Sequence, residues 1–223
     1  ATLDSLTITN SQSYISDPIH PGGGGVYSAG GLNLTRCTLT RNTAAGPGGG
    51  LMVVAGNVVL NSCSVISNSG GGNGGGIVSP GGQTTLNQCT VAGNTSDGSG
   101  GGIGFGGNGG TLAVNQSTIF GNSASISFGG LYRGASSFTV FNSIIAGNTQ
   151  PSGSEISTTG GTFSGVNLTN GTPLLAPLGN YGGLTPTMPP LPSSPALNGA
   201  TGGTSFTTDQ RGLPRIVGSF AAL

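Results

Sequence analysis

"GGGLMVVAGNVVLNSCSVISNSGGGN" occupies residues 48–73, and "GGGIVSPGGQTTLNQCTVAGNTSDGS" follows directly over residues 74–99. Both stretches carry a glycine triplet, an aliphatic residue, a cysteine and, a few residues on, an asparagine. Self-similarity at a fixed period is the signature of a repeat architecture. Cys37, Cys63 and Cys89 recur every 26 residues. The same slot is expected to hold Ser117 after a two-residue insertion, then Ser143, and one period back Ser11. Asn42, Asn68, Asn94, Asn122 and Asn148 each follow the slot by five residues. Apolar columns precede it: Ile8, Leu34, Leu60, Leu86, Val114 and Val140, and Leu6, Leu32, Val58, Thr84, Leu112 and Phe138.

Each repeat alternates apolar and polar residues with period two between Gly, Asn and Ser turns, a strand pattern rather than a helical one. Three short strands per 26-residue coil, stacked parallel, predict an all-β, right-handed parallel β-helix. Six coils at one strand spacing each make a rod roughly 29 Å tall. The glycines permit positive φ and close backbone approach. The asparagines are expected to take the left-handed conformation and bond to their copies one coil away. The cysteines, small and apolar, suit a narrow core. Since a single coil cannot bury its inner face alone, the repetition is itself structural.

Composition narrows the function. Glycine supplies 47 of 223 residues, and charged residues are 4% where about a quarter is usual. There is no lysine; Arg36, Arg41, Arg133, Arg211 and Arg215 balance Asp4, Asp17, Asp97, Glu155 and Asp209 to zero formal charge. A mean hydropathy of +0.11 without net charge excludes disorder. Five scattered arginines exclude a nucleic-acid stripe. With no apolar run of about 18 residues, no membrane span is expected. So uncharged a surface offers little repulsion to hold copies apart.

The coil "LNLTRCTLTRNTA" (residues 32–44), the segment "GVNLTNGTPLLAPLGNYGGLTPTMPPLPSSPALNGA" (165–200) and "DQRGLPR" (209–215) resemble bacterial surface proteins with pectate-lyase-like β-helices and a choice-of-anchor Q domain. The resemblance spans nearly the whole chain, and its most specific part runs from Asn167 to Arg215. It implies a secreted or cell-surface β-helix and brings no catalytic residues with it. Relatives of this kind run on into a linker and sorting signal, whereas this chain stops at "IVGSFAAL".

Seven of the 13 prolines fall between Pro173 and Pro195, so a regular ladder cannot continue there. Residues 1–163 read as coils, and 164–223 as a last coil plus a wrap covering the rod's end or side. Asp209, Arg211 and Arg215 are expected to tie that wrap down by a charge-assisted pair. At the other end, strand-like sequence begins at Leu3 with no signal peptide or capping helix before it, as in a processed or trimmed chain. Upstream coils in a longer gene are the alternative.

Chemistry is sparse. His20, the single histidine, has Asp17 for a neighbour, yet a loop histidine beside two prolines is more often only that. Asp17 and Asp97 fall about three coils apart, roughly 14 Å, which is too far for glycosidase geometry. Arg36 and Arg41 flank a cysteine slot with no acid expected in register. The glycine runs lack the Lys-Ser/Thr ending of a phosphate loop. Three thiols leave at least one unpaired. The expectation is three free, stacked thiols and no metal or other cofactor. Sequons at Asn33, Asn94, Asn115 and Asn167 mark candidate glycan acceptors. Tyr27 and Tyr132 are candidates for stacking on sugar rings.

The leading expectation is a non-enzymatic extracellular structural protein that self-associates head to tail into a surface filament or matrix, its partner being itself. A glycan-binding adhesin comes second and a polysaccharide lyase or hydrolase third.

Overall fold

The computed structural model describes residues 1–14, 22–107, 109–200, 206–217 and 220–221. Four parallel sheets of seven, six, five and five strands stack into a β-solenoid. The first sheet runs Thr2–Asp4, Leu32–Thr35, Asn57–Asn61, Gln83–Asn87, Thr111–Asn115, Phe138–Phe141 and Gly161–Ser164. The second begins at Thr7–Thr9 and ends at Ile144–Ala146, the third spans Gln12–Ser13 to Ser123–Ala124, and the fourth Val26–Ser28 to Leu131–Arg133. Five coils carry all four strands. In the sixth, the third and fourth sheets are reduced to single bridges at Thr149 and Ile156, and a last bridge joins Leu168 to Ile144. The described residues contain no helix, hence none long and apolar enough to cross a membrane.

The coil therefore has four strands where the sequence predicts three. The extra one is a two-residue pairing, such as Ser69–Gly70 on Thr95–Ser96, too short to leave an alternating pattern. The first coil also departs from the expected register. Thr2 pairs with Asn33 and Ile8 with Leu39, an offset of 31 rather than 26. The offset falls to 25 at Val26↔Leu51, so six extra residues lie between Ser13 and Val26. Leu6, not Ser11, thus heads the cysteine column, and Ile8 joins Leu39, Val65, Val91, Ile119 and Ile145. Asp17 and His20 fall in this insertion, outside the described residues.

Two of the corners in each coil turn from strand to strand through a single left-handed residue. Ser5, Arg36, Ser62, Gln88, Gln116 and Asn142 turn the first sheet into the second with φ of 45–56°. Asn10, Arg41, Ser67, Gly93, Gly121 and Gly147 turn the second into the third with φ of 54–68°. The left-handed residue is thus the one before each asparagine, not the asparagine itself. A non-glycine residue there costs roughly 1–2 kcal/mol, tolerated because paired strands on both sides dictate the bend.

The asparagines point inward and form a continuous ladder. Asn68 Oδ1 accepts the Asn42 backbone N–H and Nδ2–H, both at 3.0 Å. The same double acceptance repeats from Asn68 to Asn94, Asn94 to Asn122 and Asn122 to Asn148 at 2.8–3.0 Å. Each Nδ2 also donates to a carbonyl of the coil before, as Asn94 does to Val65 at 2.9 Å. At the first coil the slot holds Ser11, whose N–H reaches Asn42 Oδ1 at 3.0 Å.

The glycine triplet serves this ladder. Its first member has positive φ, as at Gly74 (+72°). Its third, Gly76, has ordinary φ, but a Cβ there would lie 3.0 Å from the Asn94 carboxamide and 2.7 Å from the Gly102 carbonyl. The cysteines stack beside it as three free, buried thiols. Cys37 N–H approaches Cys63 Sγ at 3.4 Å, and the column continues through Ser117, Ser143 and Asn167 by bonds of 2.8–3.1 Å. Burial pushes the Cys37 thiol up and the Cys89 thiol well up, so neither is a nucleophile at neutral pH.

Asn94→Ala leaves the Asn68 backbone N–H and one of its two side-chain N–H groups without an acceptor inside the rod. At about 1–3 kcal/mol per buried unsatisfied group, denaturant unfolding should show a loss of about 2–6 kcal/mol.

Candidate functional site

The proline-rich segment leaves the stack after Leu168 and lies along the side of the rod, on the outer face of the second sheet. Ser64–Ile66, Thr90–Ala92 and Ile144–Ala146 are consequently buried on both faces. Met188 packs on Ile66 and Ala92, and Ala196 on Ile144 and Ala146. Thr185 Oγ1 donates to the Ser62 carbonyl at 3.0 Å, and Gln88 Nε2 to that of Thr208.

The polar hub of this seam is Gln210. Its Nε2 lies 2.9–3.3 Å from Thr185 Oγ1, Ser64 Oγ and the Cys63 carbonyl. Its Oε1 accepts from Thr90 Oγ1 at 2.7 Å and from Thr187 Oγ1 at 3.2 Å. The charged residues on either side act locally instead. Asp209 accepts the Arg211 N–H at 2.8 Å, Arg211 Nε–H at 2.7 Å and the Leu213 N–H at 3.1 Å. That ion pair staples a five-residue turn, and the tie to the coils comes from the uncharged residue between its partners. Arg215 is 7% exposed; burial lowers its pKa and the Asp209 charge opposes that shift.

Beneath this turn is a pocket of about 250 Å³, with Gln116, Thr118, Met188, Gln210, Arg211 and Arg215 in its walls. Among the described residues it brings two guanidiniums and one already paired carboxylate together.

The other candidates are dispersed. Asn33 is exposed on the first sheet. Asn94 is fully buried with its amide committed to the ladder, so it cannot accept a glycan in the folded chain. Asn115 donates to Asn87 and Asn87 to Asn61 in a second, half-buried stack at 2.9–3.0 Å. Asn167 closes the cysteine column. Tyr27 and Tyr132 stand four rungs apart in one column of the fourth sheet, with Met52, Val78 and Gly104 between. Phe128 stacks on Tyr132, ring centroids 5.9 Å apart.

Arg36 does have an acid partner, although none stands in its own column: the longer first coil sets Asp4 against Thr35, diagonally below Arg36. Arg36 Nε–H donates to Asp4 Oδ1 at 3.0 Å, and Nη2 pairs with Oδ2. The guanidinium holds the exposed Asp4 carboxyl below its usual value. Asp97 lies exposed on a loop of the fourth coil. Among the described residues no three His, Cys, Asp or Glu side chains group to hold a metal ion.

At the last coil one acid has a defined task. Glu155 succeeds Gly130 in the column of third glycines. Its Oε2 accepts the Asn148 N–H at 2.9 Å and Nδ2–H at 3.0 Å, and its Oε1 accepts the Gly147 N–H at 3.2 Å. The carboxylate thus occupies the place of a next asparagine and terminates the ladder. Comparison with protein families, with curated proteins and with solved structures finds no match.

Gln210→Ala removes the seam's hub and should loosen the wrap without unfolding the coils. Trypsin cleavage at Arg211 and Arg215 should accelerate about tenfold, the equivalent of about 1.4 kcal/mol of lost protection, with the circular dichroism of the coils unchanged.

Proposed function

We propose that this chain is an extracellular structural solenoid whose copies join end to end along the rod axis. The observation that carries the reading is the state of the first sheet at the last coil. Gly161–Ser164 pairs with Phe138–Phe141 on one side, and no described residue pairs with the other. Phe163 there is 36% exposed. An unpaired strand with an apolar side chain is a template for another strand. The surface with the matching cross-section is the first coil of a second copy, where Thr2–Asp4 likewise has one neighbour and Leu6 is 47% exposed. Contacts between unlike ends do not close and generate filaments. Zero formal charge favours such contact, and the sequence resemblance to surface proteins with an anchor domain supports an assembly at the cell boundary.

Leu6→Arg and Phe163→Arg each put a charge on one rim. Light scattering and electron microscopy should show concentration-dependent rods for the unaltered chain, shorter species for each variant, and mostly dimers when the two variants are mixed. A chain that stays monomeric at high concentration would overturn the reading.

A second reading, a glycan-binding face, is favoured by Phe128. It holds φ +54° in a column where Gly23, Gly48, Gly74 and Gly100 take the same conformation, and its half-exposed ring extends that of Tyr132. Paired aromatic faces suit the C–H side of a sugar ring. Tyr132→Ala should abolish any glycan-array signal of the chain, and an unaltered signal rules this face out.

A further inference from the structure

We infer that the end-to-end contact is keyed by the corner between the second and third sheets, with Glu155 of one copy entering a notch at Ser11 of the next and facing its Arg41. This rests on the end-to-end reading above and specifies its register.

In the asparagine column, coils two to six present a carboxamide, and the space beyond Asn148 is filled by Glu155. The first coil presents Ser11 instead. Were an asparagine there, its carboxamide would compete for the volume that Glu155 occupies on the copy below. Serine leaves that volume open and supplies a hydroxyl able to donate to the carboxylate. Glu155 is half-buried and accepts three hydrogen bonds, while a carboxylate offers about four acceptor sites. One remains for an incoming donor.

Charge complementarity points the same way. Of the five arginines, Arg36 and Arg211 pair with acids, Arg133 donates to the Ser136 and Ala135 carbonyls, and Arg215 is buried beside the Asp209 turn. Arg41 is exposed with no ion pair among the described residues. It stands one rung in from the head rim, in the corner column that runs Asn10, Arg41, Ser67, Gly93, Gly121 and Gly147. Glu155 bonds to Gly147 at the other end of that column. Seating the next copy's Thr2–Asp4 on Gly161–Ser164, the seventh rung of the first sheet, sets its Arg41 three rungs beyond Gly147, about 14 Å, a gap that an arginine and a glutamate side chain span together. Head and tail therefore carry opposite charges at the same corner of one cross-section, which selects a single rotation of copy on copy.

Three variants of the whole chain test this by sedimentation. Ser11→Asn fills the notch with the ladder's own residue, and Arg41→Gly removes the charge while keeping a residue that the corner already uses at Gly93. Glu155→Gln keeps an acceptor for Asn148 without the charge. Each should weaken association about tenfold, with thermal unfolding of the monomer unchanged for Arg41→Gly and Ser11→Asn. Added salt should weaken the unaltered chain but not Arg41→Gly. If the unaltered chain assembles and the Ser11 and Arg41 variants assemble equally well, the keyed corner is wrong while end-to-end association stands. If the unaltered chain stays monomeric at every concentration, both fall.

Discussion

The structure depends on a line of carboxamides that must be satisfied from within. Five asparagines are buried inside the rod, and each has two donors and an acceptor to place. The stack solves this by making every coil's amide the partner of the next. A bond chain of this kind polarises along its length, and an unmade member is costly in a low dielectric. The requirement reaches outward to the other columns. The glycine against each amide has no room for a Cβ, and the residue before each asparagine must bend left-handed to swing the amide inward. The coil length is set by whatever returns one asparagine over another.

A line of aligned bonds has two unlike ends, and this chain treats them differently. At the donor end Glu155 supplies a carboxylate in place of the missing carboxamide, a charge-assisted closure stronger than the neutral bonds it follows. At the acceptor end a serine backbone N–H is enough. The same polarity makes the two ends of the rod chemically unlike, which gives the proposed end-to-end assembly a direction.

The side of the rod follows different rules. Within the wrap, pairing is limited to short antiparallel contacts such as Gly179 with Thr187 and Ile216–Val217 with Phe220–Ala221, because its prolines lack the donors, and it adheres through apolar side chains and hydroxyls on the second sheet. Gln210 concentrates that polar contact in one uncharged group with both donor and acceptor, able to meet a carbonyl and several hydroxyls at once. Asp209 and Arg211 shape the turn that presents it. The pocket beneath is a consequence of an irregular segment lying over a regular face.

The sequence by itself determined the period, the parallel stacking, the column of asparagines bonded copy to copy and the column of cysteines. These all follow from like residues recurring at a constant interval, and a constant interval is visible in one dimension. The tertiary structure alone decided the register of the first coil. Six inserted residues shift Leu6, Ile8 and Ser11 into columns that a fixed step of 26 assigns wrongly, and that shift is what places Asp4 diagonally below Arg36. It also decided which residue of each corner turns left-handed, since Arg36, Arg41, Gln88 and Phe128 carry no local preference for it and are held by paired strands. Gln210 and Glu155 were illegible for the same reason. Each occurs once, and a residue that contacts something 146 or 7 positions away leaves no periodic trace until the chain has closed around it.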